Sequence, residues 1–134
     1  MTEEHDLDER FYGTTDPVPE RGPGFLIDWG AASGLEAATL FDELADWVHW
    51  LAHTYTMDAR YVPDCWPRHD AMLWELSTLH TQWLGVYRNP TRVMGDPGGQ
   101  NWQQAQVAAR LRLADATARS GCRPGQHRPS PLDR

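Results

Sequence analysis

Apolar side chains recur every three or four residues along three separate stretches of this chain, which is the period of an amphipathic α-helix. The stretches lie at about residues 34–56, 67–88 and 102–120. Segments that contain Pro and Gly and lack this period separate them. A chain of 134 residues has room for one hydrophobic core. The sequence therefore predicts an all-α fold, with three helices in one domain.

Local signals mark the ends of the predicted helices. Ser33 and Asn101 each begin a capping-box pattern, in which Glu or Gln follows three residues later. Pro67 suits the first turn of the second helix, because its missing N–H would be unpaired there in any case. Gly121 is typical of the position just past a helix end.

The regions outside the helices differ in composition. Residues 1–24 are acidic, contain three Gly and three Pro, and offer few large apolar groups. Such a segment cannot bury enough surface to offset its ordering entropy, so we expect a disordered arm. We assign residues 25–129 to the helical domain and residues 130–134 to an irregular tail.

Charge and composition exclude several functions. Acidic residues outnumber basic ones by 19 to 12, and every basic residue is Arg. Without Lys, the chain has neither a P-loop nor a Schiff-base lysine. It also lacks a G-x-S-x-G elbow, a Cys-x-x-Cys pair and a long apolar span, and we expect no secretory signal. We therefore expect a cytoplasmic protein that does not bind membranes and is not an enzyme.

Two Cys and two His stand at spacings that suit a tetrahedral zinc ion, in the pattern C-x3-H…C-x4-H. The four are Cys65, His69, Cys122 and His127. If the second and third helices run antiparallel, the end of one returns to the start of the other and brings both halves together. The sequence leaves two alternatives open, namely ordinary core residues and a Cys65–Cys122 disulfide, although a reducing cytoplasm disfavours the disulfide.

A second His pair, His49 and His53, has the i, i+4 spacing of a zinc-protease helix. The Glu that such a helix needs as a general base is replaced by Trp50. Both His also lie on the polar side of the first helix. We interpret them as part of a solvated face.

Trp50 and Trp74 lie off the apolar stripes of their helices. Exposed Trp is favoured at protein interfaces, so both are candidate interface residues. Flanking segments that cover them are the alternative.

The C-terminal third is basic, since residues 88–134 hold eight Arg and only three acidic residues. Such a region is a candidate for phosphate contacts, although the chain contains no recognised nucleic-acid-binding module. The candidate residues are Arg110, Arg112, Arg119, Arg123 and Arg128.

Four sequence features form a recognisable set: D-W-V-x-W-L at Asp46–Leu51, P-x-C-W-x-R-H at Pro63–His69, a Trp–Tyr pattern at Trp83–Tyr87, and G-C…H-R-P at Gly121–Pro129. Over roughly residues 25–129 the chain resembles a family of small uncharacterised actinobacterial proteins, classed by a domain of unknown function. Such proteins are often encoded on plasmids, prophages and integrative elements. The resemblance implies a host group and a genomic setting, and no activity.

Together these features predict a non-enzymatic interaction or scaffold protein, an accessory product of an actinobacterial mobile element with a structural zinc clip. Its partner would be another protein or a second copy of the chain. The alternative is a small nucleic-acid-binding or regulatory protein that uses the Arg-rich third.

Overall fold

The computed structural model describes residues 26–91 and 93–129. Within them the fold is all-α, as predicted, with three long helices: α1 (Gly34–Thr54), α2 (Asp70–Tyr87) and α3 (Gly98–Ser120). The predicted disordered arm at residues 1–24 and the predicted tail at 130–134 lie outside the described residues. No helix in the described part of the chain is long and apolar enough to cross a membrane.

Helices α2 and α3 do not begin at the residues that the sequence predicts, about 67 and 102. Pro67 lies in a short 3₁₀ helix, Trp66–Arg68, and the extended backbone of His69 separates that turn from α2. Helix α3 begins four residues earlier than predicted, where the Asp96 carboxylate accepts the Gly98 N–H at 2.6 Å. The capping boxes do not form as such: the Ser33 side chain makes no cap hydrogen bond, and Asn101 lies inside α3.

Helix α2 packs against both of the other long helices. It is antiparallel to α3, because Glu75 near its start pairs with Arg112, whereas Tyr87 at its end approaches Gly99. The core is made mainly of large apolar side chains from all three helices, from the segment before α1 and from the segment between α1 and α2. It comprises Trp29, Leu44, Trp47, Val48, Leu51, Met57, Trp66, Met72, Leu73, Leu76, Leu79, Trp102, Ala109 and Leu113.

Aromatic rings fill the space where the three helices meet. We define the aromatic cluster as Trp47, Trp50, Tyr55, His80, Trp83, Tyr87 and Trp102. Trp102 is fully buried, and its indole N–H donates to the Tyr55 hydroxyl at 2.8 Å. Ring contacts of this kind stabilise the packing beyond the area that they bury.

The segment between α1 and α2 follows α3 for much of its length. At its start, the Tyr55 carbonyl accepts a hydrogen bond from the Arg110 guanidinium, which also lies over the Tyr61 ring at 5.1 Å. At its end, Cys65 lies beside Cys122. The path of this segment therefore delivers one Cys–His pair to the C-terminal end of α3.

Candidate metal centre

Cys65 and His69 are placed by the 3₁₀ helix between them. Cys65 precedes this turn and His69 follows it, and the Arg68 N–H donates to the Cys65 carbonyl at 2.9 Å. One tight turn of four residues brings the two side chains together, with Sγ of Cys65 3.5 Å from Nε2 of His69. Pro67 suits this turn because its fixed φ matches a helical first turn and its missing N–H is not needed there.

Cys122 and His127 are placed by a tight two-residue turn. Arg123 and Gln126 exchange two backbone hydrogen bonds, of 3.0 and 2.7 Å, around Pro124 and Gly125. Pro followed by a Gly with a φ of 72° is the pattern of a type II turn. The next pair outward is Cys122 and His127, and residues opposite each other just outside a hydrogen-bonded pair approach closely on one face. The turn therefore brings these two side chains together.

The four ligand atoms converge as the sequence predicts. Every pair among Cys65, His69, Cys122 and His127, the Cys/His cluster, lies within 4.8 Å. Sγ of Cys122 is 3.5 Å from Nε2 of His69 and 3.5 Å from Nδ1 of His127. Zinc–sulfur bonds of about 2.3 Å and zinc–nitrogen bonds of about 2.05 Å give a tetrahedral S···N edge of about 3.6 Å. Three of the S···N distances thus match a tetrahedral zinc site, and the four side chains lie close enough together to hold one metal ion.

The surroundings of Cys122 favour a thiolate. Its Sγ accepts the backbone N–H of Arg128 at 3.2 Å. Desolvation opposes ionisation, but this hydrogen bond and those with the Ser120, Cys65 and His69 side chains lower the pKa of Cys122 to about 6. Desolvation and the neighbouring Cys122 sulfur raise the pKa of Cys65 to about 11. The cluster therefore loses its first thiol proton at Cys122.

Gly121 connects helix α3 to the cluster. Its φ is 76°, a left-handed conformation that favours Gly at a helix end. A Cβ atom there would lie 2.7 Å from Nη1 and 2.8 Å from Cδ of Arg128. Gly121 thus allows both the sharp exit from α3 and the close approach of Arg128, the residue whose N–H binds Cys122.

The two candidate interface residues are partly exposed. Trp50 is 37% exposed and Trp74 is 38% exposed. Trp50 contacts Trp83 in the aromatic cluster, with ring centroids 5.3 Å apart. Trp74 is nine residues from Trp83 on the same helix, which places it on the opposite side. Trp50 and Trp74 therefore belong to two separate surfaces.

The five Arg candidates for phosphate binding are spread over the molecule. Arg110 binds the Tyr55 carbonyl, Arg112 pairs with Glu75 at 2.7 Å, and Arg119 pairs with Asp115 at 2.8 Å. Arg123 and Arg128 are exposed beside the Cys/His cluster. Three of the five guanidinium groups are thus already engaged within the chain, and the set does not form one continuous stripe.

His49 and His53 are exposed on α1, in agreement with a solvated face. The supporting groups of the cluster were not anticipated from the sequence, namely Ser120, the Arg128 N–H and the turn between Cys122 and His127. The dipeptide Pro124–Gly125 is a turn signal that could have located the last of these.

The chain matches no protein-family model, no curated protein and no solved structure. The resemblance to the actinobacterial family therefore stays a prediction, and the site is interpreted from its own geometry.

Proposed function

We propose that the protein is a non-enzymatic interaction protein whose helical scaffold is closed by one structural zinc ion. The observation that carries the zinc assignment is the set of three S···N distances of 3.5 Å, one of which joins Cys122 to His69 across 53 residues of sequence. Two thiolates and two neutral imidazoles are a ligand set that zinc prefers. Four protein ligands complete a tetrahedron, so the metal has no open position for water or substrate, which favours a structural role.

The ion would fasten the turn after α3 to the start of α2. Because the unfolded chain cannot hold its four ligands together, the free energy of binding contributes directly to folding. A small domain with a limited core gains most from such a link. A divalent cation would also ionise Cys65, whose thiol otherwise retains its proton.

Metal analysis of the purified chain tests this proposal. We expect about one zinc per chain, and cobalt substitution should give the visible bands of a tetrahedral ion together with thiolate charge-transfer bands. Cys122→Ser and His127→Ala should each lower the zinc content. His49→Ala, which alters an exposed His on α1, is the matched control and should retain it. A wild-type chain that binds neither metal would refute the zinc assignment.

The interaction role is supported by apolar groups that face solvent. Trp50 and Trp74 are partly exposed, and Val107 and Leu111 are 53% and 67% exposed on α3. Exposed Trp side chains are typical of the centres of protein interfaces. We propose another protein or a second copy of this chain as the partner.

Sedimentation and partner capture at several salt concentrations distinguish this role from nucleic-acid binding. Protein association through Trp side chains should change little with salt and should weaken in Trp74→Ala. Phosphate binding would weaken steeply with salt. Salt-sensitive DNA binding that is lost in Arg119→Ala or Arg123→Ala would favour the nucleic-acid alternative, which has less support because Arg119 already pairs with Asp115.

The resemblance described above also supports an origin on an actinobacterial mobile element, which we retain as a proposal. The genes that flank this one test it.

A further inference from the structure

The Cys/His cluster contains two thiols that come from distant parts of the chain. Cys65 and Cys122 are free and only partly buried, so solutes in the solvent have access to them. Their sulfur atoms lie within 4.8 Å of each other. A disulfide needs a separation of about 2.05 Å, so the two sulfurs have to approach each other by no more than about 2.75 Å.

We propose that this site is also a reversible redox switch, in which hydrogen peroxide oxidises Cys65 and Cys122 to a disulfide and releases the zinc ion. The inference rests on the zinc site proposed above. Its chemistry needs only the two thiolates, hydrogen peroxide and two protons from the solvent.

The reaction has two steps. One thiolate attacks a peroxide oxygen, the O–O bond breaks, and a sulfenic acid and one water form. The second thiolate attacks the sulfenic sulfur, the S–S bond forms, and the S–O bond breaks to release a second water. Two thiolates, one hydrogen peroxide and two protons thus give one disulfide and two waters. The sulfurs lose two electrons, and zinc remains divalent throughout.

Oxidation removes zinc because it removes two of the four ligands. A disulfide sulfur has no negative charge to donate, which leaves His69 and His127 as the only remaining ligands in the cluster. The start of α2 and the end of α3 stay linked, now by a covalent bond. His69 and His127 are released at the same time, so the oxidised and zinc-bound forms differ at the surface around these two rings.

Three measurements on the zinc-loaded full chain test the switch after treatment with hydrogen peroxide. A chromophoric chelator measures released zinc, a thiol reagent counts free Cys, and intact mass identifies the product. We expect release of all bound zinc, loss of both thiols, and a metal-free chain two hydrogen masses lighter than the reduced one. A dithiol reductant with added zinc should restore the starting state.

Other products would overturn the proposal. Zinc release with a mass increase of whole oxygen atoms would indicate sulfinic or sulfonic acids, and a doubled mass would indicate disulfides between chains. Retention of zinc and both thiols at a peroxide concentration that oxidises a free thiol peptide would also overturn it.

His127→Ala separates the switch from the zinc proposal, because it removes a metal ligand and leaves both thiols in place. We expect this variant to form the same disulfide without zinc release, and His49→Ala to behave as the wild type. If the wild type binds no zinc but forms the disulfide within one chain, the zinc proposal and zinc release both fail. Only the reversible oxidation of Cys65 and Cys122 is then supported. If zinc binds and no disulfide forms in either protein, the switch fails and the zinc site stands.

Discussion

Helix α2 lies between two clusters of different character, the Cys/His cluster just before its start and the aromatic cluster along its second half. At its start, His69 belongs to the Cys/His cluster, in which three S···N distances are 3.5 Å. The four residues of this cluster flank two tight turns. In its second half, His80 is buried and stacks on Trp47, with ring centroids 4.7 Å apart. The same residue type therefore serves in one place as a candidate metal ligand and in the other as part of a hydrophobic core.

The two clusters obtain their stability from different sources. The aromatic cluster depends on buried area and close packing, which need no ligand and change little with redox conditions. The Cys/His cluster depends on a few directional contacts, and on the zinc ion that we propose. Substitutions in the aromatic cluster should lower stability without affecting metal binding. Substitutions in the Cys/His cluster should lower both stability and metal binding.

The largest expected effect is that of Trp102→Ala. Trp102 is fully buried between Trp47 and Tyr55, so its removal leaves a large cavity and removes the 2.8 Å hydrogen bond to the Tyr55 hydroxyl. We expect a loss of about 3–5 kcal/mol in the free energy of unfolding, measured by urea denaturation. Zinc content under folding conditions should not change.

Trp74→Ala is the matched control for that substitution, since this side chain is 38% exposed on the same bundle. We expect it to cost much less than Trp102→Ala. Similar losses of unfolding free energy in the two variants would contradict the placement of Trp102 in the core.

Removal of zinc is expected to have the next largest effect. If free zinc is present at 100 times its Kd, saturation stabilises the fold by about 2.7 kcal/mol, and a strong chelator removes that contribution. Thermal unfolding with and without the chelator measures the change. Cys122→Ser should unfold at the chelated temperature under both conditions, and His49→Ala should respond as the wild type does. A wild-type Tm that does not respond to the chelator would count against the proposed zinc clip.

A third prediction concerns pH and His80. Burial lowers the pKa of His80 to about 4, from about 6.5 in the unfolded chain. Between these values the unfolded state binds the proton and the folded state does not, so stability falls as pH decreases from about 6.5 towards 4. The slope is at most about 1.4 kcal/mol per pH unit.

His80→Phe isolates this contribution, because it retains the stacked ring and leaves the Cys/His cluster unchanged. Acid also releases metal from Cys and His ligands, and this effect is common to both proteins. The difference between their stabilities should therefore be constant above about pH 6.5 and should change progressively below it. Parallel profiles down to pH 4 would show that His80 is not buried as a neutral ring.

The helix positions were predictable where the regular spacing of apolar residues alone determines them. Helix α1 was predicted within two residues at its C-terminal end, because one unbroken stripe runs along it. The start of α2 was wrong because Pro67 favours a first helical turn of either kind, and nothing local distinguishes a 3₁₀ turn from an α-helix. The start of α3 was wrong because two glycines at residues 98 and 99 disfavour a helix, whereas the Asp96 carboxylate stabilises one there.

The Cys/His cluster was predictable because it requires only spacing and an antiparallel pair of helices. The placement of Trp50 and Trp74 on two separate surfaces was harder to predict. It depends on how α1 and α2 pack against each other, and neither residue's own helix reveals that. The route of the 55–69 segment along α3 depends likewise on contacts between distant residues, such as Arg110 with Tyr61.

The smallest expected effect is that of a substitution at Gly121, which connects α3 to the Cys/His cluster. Ala at this position must keep a φ of 76° and place its Cβ 2.7–2.8 Å from the Arg128 side chain. We expect Gly121→Ala to cost about 1 kcal/mol in the free energy of unfolding. We also expect weaker zinc binding, because the Arg128 side chain must move away from residue 121 and the backbone N–H of the same residue donates to Cys122. Gly99→Ala is the control of opposite sign: Gly99 lies in α3, and its nearest neighbour would be the Tyr87 hydroxyl at an ordinary 3.6 Å. Since Ala favours helices, that variant should be as stable as the wild type or more so, with unchanged zinc affinity. Competition with a chelator of known affinity measures the difference, and equal zinc affinities in the two variants would show that Arg128 does not support the metal site.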